Sequence, residues 1–314
     1  MKNILLIIGV LIIIVGATYY FLITSEESTY TKTPVEQTKE EQKMEDDTKN
    51  TKGEEVEPKQ EVKKDENKPT SIIGQSVEGN DIIAYHFGGG EKEILFIGGI
   101  HGGYSWNTAL LGYELIDWFK ASDSIIPDNV KVTVIPVLNP DGLKKVTGTT
   151  DRFTASNVSK ISAERVSGRF NANEVDLNRN FDCEWQPTST WQNKTVSGGT
   201  TAFSEPESQA IRSYVIENKL TAVVTWYSAA GGVYASNCKN GVLPETLTLT
   251  NLFAKASGYP AHEQFNYYEI TGDMVNWLAS QKIPAISVLL TNHEQTEFTK
   301  NQAGVEAILK YYAK

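Results

Sequence analysis

Polar side chains that could carry chemistry follow several predicted strands. His101 follows one strand within a Gly-rich turn, the pair Asn178-Arg179 lies in a long loop, and Tyr268 precedes a predicted helix. An imidazole can bind a metal ion, and a planar guanidinium can bind a carboxylate through two parallel hydrogen bonds. Open α/β sheets bind ligands at the carboxyl ends of their strands, so we expect the site at that edge.

The elements that must position these side chains begin at Ser71. Two runs on either side of the turn residues Gly79 and Asn80 predict a hairpin, and later apolar runs predict buried strands with helices between them. Ser204 is predicted to cap one helix while Glu207 reaches back. The fold class is α/β, with a mixed, mostly parallel sheet and helices on both faces. The predicted strands are Ile72–Val77, Ile82–Phe87, Glu93–Gly98, Lys131–Leu138, Leu220–Tyr227 and Ala285–Leu290, and the helices lie near 107–120, 205–218, 244–257, 272–281 and 301–313.

The chain divides into three predicted parts, the first being residues 1–23. Its uncharged run 4–23 is long enough to cross a bilayer as a helix of about 30 Å. Lys2 before the run and acidic residues after it favour a cytoplasmic N-terminus. We therefore expect a retained single-pass membrane anchor (or uncleaved signal), with a cleaved signal peptide as the alternative.

Residues 24–70 form the second part and contain no Leu, Ile, Phe or Trp. Such a charged segment cannot bury enough apolar surface to fold, so we expect a disordered linker. Only 71–314 can bury a core, and its size fits one domain. The net charge of −10 argues against a nucleic-acid partner. The prediction is a protein of the cell membrane with its C-terminal domain on the extracellular side.

Cys183 and Cys238 are the only cysteines. An exported domain lies where disulfides persist, so we favour a disulfide between them. Two unpaired buried thiols are the alternative. In the chain-entropy model, closing this loop stabilises the fold by roughly 4 kcal/mol.

In order and spacing, the segments after the strands resemble the zinc metallocarboxypeptidases, the carboxypeptidase A-like family. The resemblance covers nearly all of 71–314, which it identifies as a metallocarboxypeptidase-like domain. The most specific motifs are Val175-Asp176-Leu177-Asn178-Arg179-Asn180-Phe181, Asn139-Pro140-Asp141-Gly142 and Thr271-Gly272-Asp273-Met274-Val275-Asn276-Trp277.

The resemblance implies a catalytic zinc with three protein ligands and a carboxylate that moves the proton. His101 matches the first ligand and is the only surviving one. The glutamate ligand is expected at Tyr104 or, in some relatives, at Ser105, the second histidine at Tyr227, and the general base at Leu289. We therefore predict that no catalytic residue is intact and that no cofactor is bound.

The carboxylate-binding residues of the resemblance are retained. Asn178, Arg179 and Tyr268 match the group that holds a substrate's terminal carboxylate, and Arg169 lies near the expected oxyanion position. Val275 stands at the base of the specificity pocket, which should be small and apolar. In a structural alternative, Arg179 pairs with Asp176 or Asp182 and binds no ligand.

These observations predict a membrane-tethered, exported pseudoenzyme that binds peptides, including cell-envelope peptides, with a free carboxylate. One alternative is an active zinc peptidase whose metal site is rebuilt from His101 with Tyr227 or His293. Another is an interaction scaffold that uses the fold without any pocket ligand.

Overall fold

A computed structural model describes residues 68–314. The predicted anchor 1–23 and most of the predicted linker, 24–67, lie outside the described residues. Within 68–314, no helix is both long and apolar enough to cross a membrane.

An eight-stranded mixed sheet forms the centre of the fold. Its strands are β1 (Thr70–Gln75), β2 (Asp81–Gly88), β3 (Lys92–Ile97), β4 (Val130–Ile135), β7 (Leu220–Ser228), β8 (Gly232–Ala235), β11 (Ala261–His262) and β12 (Ala285–Leu290). They lie in the order β1-β2-β4-β3-β7-β12-β8-β11. Neighbours are parallel from β4 to β12 and between β8 and β11, and antiparallel elsewhere in this sheet. The predicted mixed α/β class and the β1–β2 hairpin are confirmed.

Helices cover both faces of this sheet because its central strands are apolar on both sides. On β3, Ile94 and Phe96 join one core cluster, whereas Leu95 and Ile97 join the other, as the period of two requires. The helices are α1 (Trp106–Ala121), α2 (Pro140–Thr147), α3 (Ser162–Ser167), α4 (Pro206–Glu217), α5 (Pro244–Ser257), α6 (Met274–Ser280) and α7 (Phe298–Tyr312). Side chains of α1, α5 and α7 fill the first cluster, and those of α4 and α6 fill the second.

Two small hairpins lie outside the main sheet. The first joins β5 (Thr188–Trp191) to β6 (Lys194–Ser197) through Gln192 and Asn193, both with positive φ. The second joins β9 (Asn237–Cys238) to β10 (Gly241–Val242). Neither hairpin was predicted from the sequence.

The predicted capping box at α4 is wrong. Glu205 is the N-cap residue and Pro206 opens the helix. The Ser204 hydroxyl donates to the Glu205 carboxylate, and Glu207 accepts from the backbone of Val77 instead of reaching back. The side chains of Ser204 and Glu207 therefore bond to other partners instead of forming the predicted capping box.

Candidate functional site

A cavity of about 540 Å³ opens where the parallel strands β7 and β12 end. Their terminal residues Tyr227, Ser228 and Leu289 line it, together with the loop that follows β11. Of the residues singled out from the sequence, the following line this cavity: His101, Arg169, Asn178, Arg179, Tyr227, Tyr268, Val275 and Leu289. The topology therefore brings most of the predicted site together at the expected edge of the sheet.

His101 lies in the turn after β3 and is buried. Neither ring nitrogen has a hydrogen-bond partner among the described residues, and Nε2 lies 3.6 Å from Oδ1 of Asp176. Burial, followed by the positive charge of Arg169, lowers the pKa of His101 to about 4. The imidazole is therefore neutral at physiological pH.

Asp176 and Arg169 form a buried ion pair beside His101. Nε and Nη2 of Arg169 donate to Oδ2 of Asp176 over 2.9 and 2.7 Å. Burial alone would raise the pKa of Asp176, but the positive charges of Arg169 and Arg179 hold it far below its usual range. The Trp191 ring stacks on this guanidinium, with its centroid 4.4 Å from Cζ of Arg169. Arg169, predicted at an oxyanion position, is thus held by a carboxylate of its own protein.

Asn178 connects three segments of the chain. Its Nδ2 donates to Asp273 over 2.7 Å, and its Oδ1 accepts from the Tyr227 hydroxyl and from the Met274 backbone, each over 3.2 Å. Burial raises the pKa of Tyr227 well above 10, so this side chain remains a phenol and a hydrogen-bond donor.

Arg179 is 1% exposed and has unused hydrogen-bonding capacity. Nη1 donates to its neighbour's backbone oxygen over 2.8 Å and Nη2 to the backbone oxygen of Thr190 over 3.4 Å, but Nε has no partner among the described residues. No ion pair involves Arg179 within 68–314, because Asp176 pairs with Arg169. The structural alternative, in which Arg179 pairs with Asp176 or Asp182, is not what the fold adopts.

Aromatic and apolar side chains surround this guanidinium. The Tyr268 ring lies 5.9 Å from Cζ of Arg179 and contacts Phe265, 5.0 Å between ring centroids. Val275 and Leu289 are buried in the cavity wall. This surface suits an apolar stem beside a carboxylate.

Tyr104 and Ser105 do not line the cavity. The Tyr104 ring packs edge-on against Trp191 and His293, with centroid distances of 4.9 and 4.5 Å. Ser105 is the N-cap residue of α1, and its side chain makes no capping bond. Within the described residues that line the cavity, His101 is the only histidine, so His293 lies outside it.

No group of three or more His, Cys, Asp or Glu side chains among residues 68–314 is placed to hold a metal ion. The carboxylate nearest to His101 already pairs with Arg169. The Tyr227 hydroxyl is used by Asn178. Two guanidinium groups act on this imidazole, and their positive charge opposes a divalent cation.

Sequence reasoning missed Asp273 and Trp191. Asp273 is 4% exposed, caps α6 through the backbone of Asn276, and lines the cavity. Its position in a Gly-Asp step before a helix identifies it as a cap, but gives no sign of a cavity. Trp191 belongs to the unpredicted β5–β6 hairpin and also lines the cavity.

The predicted disulfide between Cys183 and Cys238 is confirmed, with Cα atoms 6.1 Å apart. It joins the loop that carries Glu184 to the β9–β10 hairpin that carries Asn237. Both of these neighbours line the cavity. The disulfide therefore connects two of its walls.

The sequence and the fold are similar to those of metallocarboxypeptidases. A family model described as zinc carboxypeptidase matches residues 60–308. Metallocarboxypeptidase A of Trichophyton tonsurans is 34% identical over 123 residues, which cover 36% of this chain and 27% of that protein. The chain thus spans about a quarter of that relative's length.

Two solved structures share the fold. Carboxypeptidase A from Helicoverpa armigera has a TM-score of 0.58 and 20% identity, covering 78% of this chain and 66% of that one. The murein-tripeptide amidase MpaA from Escherichia coli O157 has a TM-score of 0.54 and 19% identity, covering 76% and 92%. At these identities the similarity is one of fold.

Proposed function

The chain belongs to the zinc carboxypeptidase family, and from that premise we propose that it is a member without a working zinc site that binds peptides by their C-terminal carboxylate. The observation that carries this proposal is the state of Arg179. This guanidinium is buried in the cavity, has a free Nε, and forms no ion pair within the described residues. A buried cation without a counter-ion is costly, and a ligand carboxylate would supply one.

The donors around His101 do not fit a catalytic zinc. Carboxypeptidase A binds its zinc through two His and one Glu and leaves one position open. Here we align His101 with the first ligand, Tyr104 or Ser105 with the glutamate, and Tyr227 with the second histidine. To bind a metal ion, Tyr227 would have to lose its phenol proton, and burial raises the pKa of this group. We therefore derive no hydrolytic step for this protein.

Leu289 supports the same conclusion for proton transfer. We align it with the family's general base, and its aliphatic side chain lies buried at the end of β12. A carboxylate there would be needed to accept a proton from an attacking water. With both the metal donors and the base replaced, the cavity keeps the means to bind but not to cleave.

The wall beside Arg179 supports a peptide terminus as the ligand. Tyr268 flanks the guanidinium, and Val275 lies in the same cavity. The side chain of the last residue of a peptide can therefore pack against this wall while the terminal carboxylate of the peptide reaches Arg179. The side-chain amide of Asn178 is already hydrogen-bonded to Asp273 and to Tyr227, so its role in the proposal is to orient this wall.

Binding of paired peptides by the full-length protein tests the carboxylate proposal. Titration calorimetry would compare N-acetylated tripeptides with a free C-terminal carboxylate against the same peptides as carboxamides. We expect the carboxylate form to bind more tightly, and Arg179→Gln to abolish that difference. Arg152→Gln is the matched control, because Arg152 lies on the surface paired with Asp117. Equal binding of the two peptide forms would rule out the proposal.

Metal analysis of the same preparation tests the missing zinc site. We expect far less than one zinc per chain and no release of C-terminal residues from peptides. About one zinc per chain, with chelator-sensitive cleavage, would establish the rebuilt metal site instead. Binding of a protein partner that is unaffected by Arg179 and Tyr268 substitutions would favour the scaffold.

We also propose that residues 4–23 tether the protein to the cell membrane and that 71–314 lie outside the cell. The apolar run and the disulfide Cys183–Cys238 support export. An exported site would meet the peptides of the cell envelope. In untreated cells the protein should be found in the membrane fraction. Protease added to intact cells should digest residues 71–314, and protection of the domain from the protease would contradict this orientation.

A further inference from the structure

A row of four hydrogen-bonded side chains crosses the sheet at the end opposite the cavity. It consists of the exposed Ser71 on β1, His86 on β2, Thr133 on β4 and the buried Glu93 on β3. Glu93 is the second residue of β3, whereas the cavity opens where the strands parallel to β3 end. These four residues do not line the cavity. The row is therefore separate from the proposed peptide site.

The buried end of this row fixes the direction of its hydrogen bonds. The hydroxyls of Tyr214, from α4, and of Thr133 both donate to Oε1 of Glu93, over 2.5 and 2.7 Å. Burial, followed by the charge of Glu93, raises the pKa of Tyr214, so this phenol keeps its proton. Lys131 pairs with the other carboxylate oxygen at 3.2 Å. Glu93 is therefore an acceptor, and the single hydroxyl proton of Thr133 is used in the bond to it.

This direction assigns the tautomer of His86. Its Nδ1 lies 3.0 Å from Oγ1 of Thr133, whose only hydroxyl proton already goes to Glu93. Nδ1 therefore carries the hydrogen and donates to Thr133. In the neutral ring Nε2 is then an unprotonated acceptor, and it lies 2.8 Å from Oγ of Ser71. The Ser71 hydroxyl thus donates to a nitrogen that can take its proton.

We propose that Ser71 is a nucleophile that accepts an acyl group from an ester, with His86 as its general base. A serine hydroxyl is a weak nucleophile until an adjacent base removes its proton, and a third group commonly orients that base. Thr133 and Glu93 are positioning residues that hold the Nδ1–H tautomer. When Nε2 takes the proton, the ring becomes positively charged, and the Glu93 carboxylate two hydrogen bonds away stabilises this charge.

The proposed step is an acyl transfer to the serine. Oγ of Ser71 bonds to the carbonyl carbon of the ester while its proton passes to Nε2 of His86. The bond between that carbon and the alcohol oxygen breaks, and the departing alcohol takes the proton from Nε2. The products are an acyl ester of Ser71 and the free alcohol. Because Ser71 is exposed on β1, at the edge of the sheet, the acyl donor reaches it from solvent.

Labelling with a fluorophosphonate tests the nucleophile on the full-length protein. The probe forms a phosphonate ester with a serine that has an adjacent base, and fluoride leaves. Mass spectrometry of peptides would compare the rate at Ser71 with that at Ser156, an exposed serine whose hydroxyl bonds to Thr154. We expect Ser71 to react at least about a hundredfold faster, the lower end of what general-base catalysis provides. His86→Gln should reduce the rate at Ser71 to that at Ser156.

Variants of Thr133 separate positioning from simple support of the fold. Thr133→Val removes the hydroxyl, so the tautomer of His86 is no longer fixed. The labelling rate at Ser71 should then fall at least about tenfold. Thr133→Ser keeps the hydroxyl and should restore the rate. Equal rates in the valine and serine variants would contradict the positioning role, because loss of the methyl group or of packing would then explain both.

Release of nitrophenol from p-nitrophenyl acetate tests the acyl-transfer step itself. Wild-type protein should release more than Ser71→Ala, because other nucleophiles of the surface are common to both proteins. The part of the release that depends on Ser71 should be lost equally in His86→Gln. Equal release by wild type and Ser71→Ala, or labelling at Ser71 no faster than at Ser156, would overturn the proposal. The row would then be only a structural link between four strands.

Discussion

The hydroxyl of Tyr227 donates to the side-chain oxygen of Asn178 over 3.2 Å. A residue that we align with a metal ligand is therefore used to orient an amide. Because the other end of that amide donates to Asp273, the hydrogen bond fixes the wall next to Arg179. The proposed replacement of a histidine by Tyr227 would add a structural contact as well as remove a metal ligand.

Tyr227→Phe should weaken peptide binding without changing zinc content. The variant loses the bond to Asn178 and leaves a buried acceptor with one donor fewer, so the free energy of unfolding should fall by about 1 kcal/mol. Urea denaturation and calorimetry with a carboxylate peptide measure the two effects. Tyr267→Phe, which removes a phenol hydroxyl at an exposed position of the same cavity, is the control and should affect binding less. Unchanged affinity in Tyr227→Phe would show that Asn178 keeps its orientation without the phenol.

Removing the disulfide should lower both stability and affinity. Cys183 and Cys238 are separated by 55 residues, and in the chain-entropy model a bridge over such a loop contributes about 4 kcal/mol. The double substitution of both residues by alanine should show this loss in guanidinium denaturation. Peptide binding should weaken as well, because Glu184 and Asn237 adjoin the bridge and line the cavity. Wild-type protein treated with reductant should behave like the variant; a stable, fully binding double variant would contradict the role given to the bridge.

The buried strands could be predicted from the sequence because their signal is local. β3, β7 and β12 are short apolar runs bounded by polar turns, and the structure places them at the centre of the sheet. The prediction of a carboxylate-binding residue at Arg179 came from a resemblance of motifs, and the structure places its guanidinium in the cavity.

The parts that could not be predicted depend on contacts distant in sequence. Asp273 acquires its place in the cavity wall from Asn178, 95 residues earlier. The β5–β6 hairpin contains mostly polar residues and turns at Gln192-Asn193 instead of a Gly-containing pair, so its pattern gives little signal. At α4, Glu207 accepts hydrogen bonds from the Val77 backbone and from Asn171, both distant in sequence, and the predicted local capping box does not form.

Stability should fall on acidification partly because of His101. Its pKa is about 4 in the folded protein and about 6.5 when unfolded, so between these values the unfolded chain binds more protons. The contribution is fully present above about pH 6.5, disappears as the pH falls towards 4, and amounts to about 3 kcal/mol. His101→Asn should therefore lose less stability than the wild type between pH 7 and pH 4, as measured by urea denaturation. An NMR titration midpoint for His101 near its unfolded value would refute the expectation.

The ion pair of Arg169 and Asp176 should contribute to stability and not to the recognition of the ligand carboxylate. Because both partners are buried, Arg169→Met or Asp176→Asn alone leaves an uncompensated charge and should cost about 3–5 kcal/mol. The double variant should cost much less than the sum, which a double-mutant cycle by chemical denaturation measures. The exposed pair Arg152–Asp117 is the matched control, with an expected coupling below about 1 kcal/mol. In the double variant Arg179 remains in place, so the preference for a carboxylate over a carboxamide peptide should survive. If that preference is lost while the fold persists, Arg169 itself contacts the ligand, as its position in the family resemblance suggested.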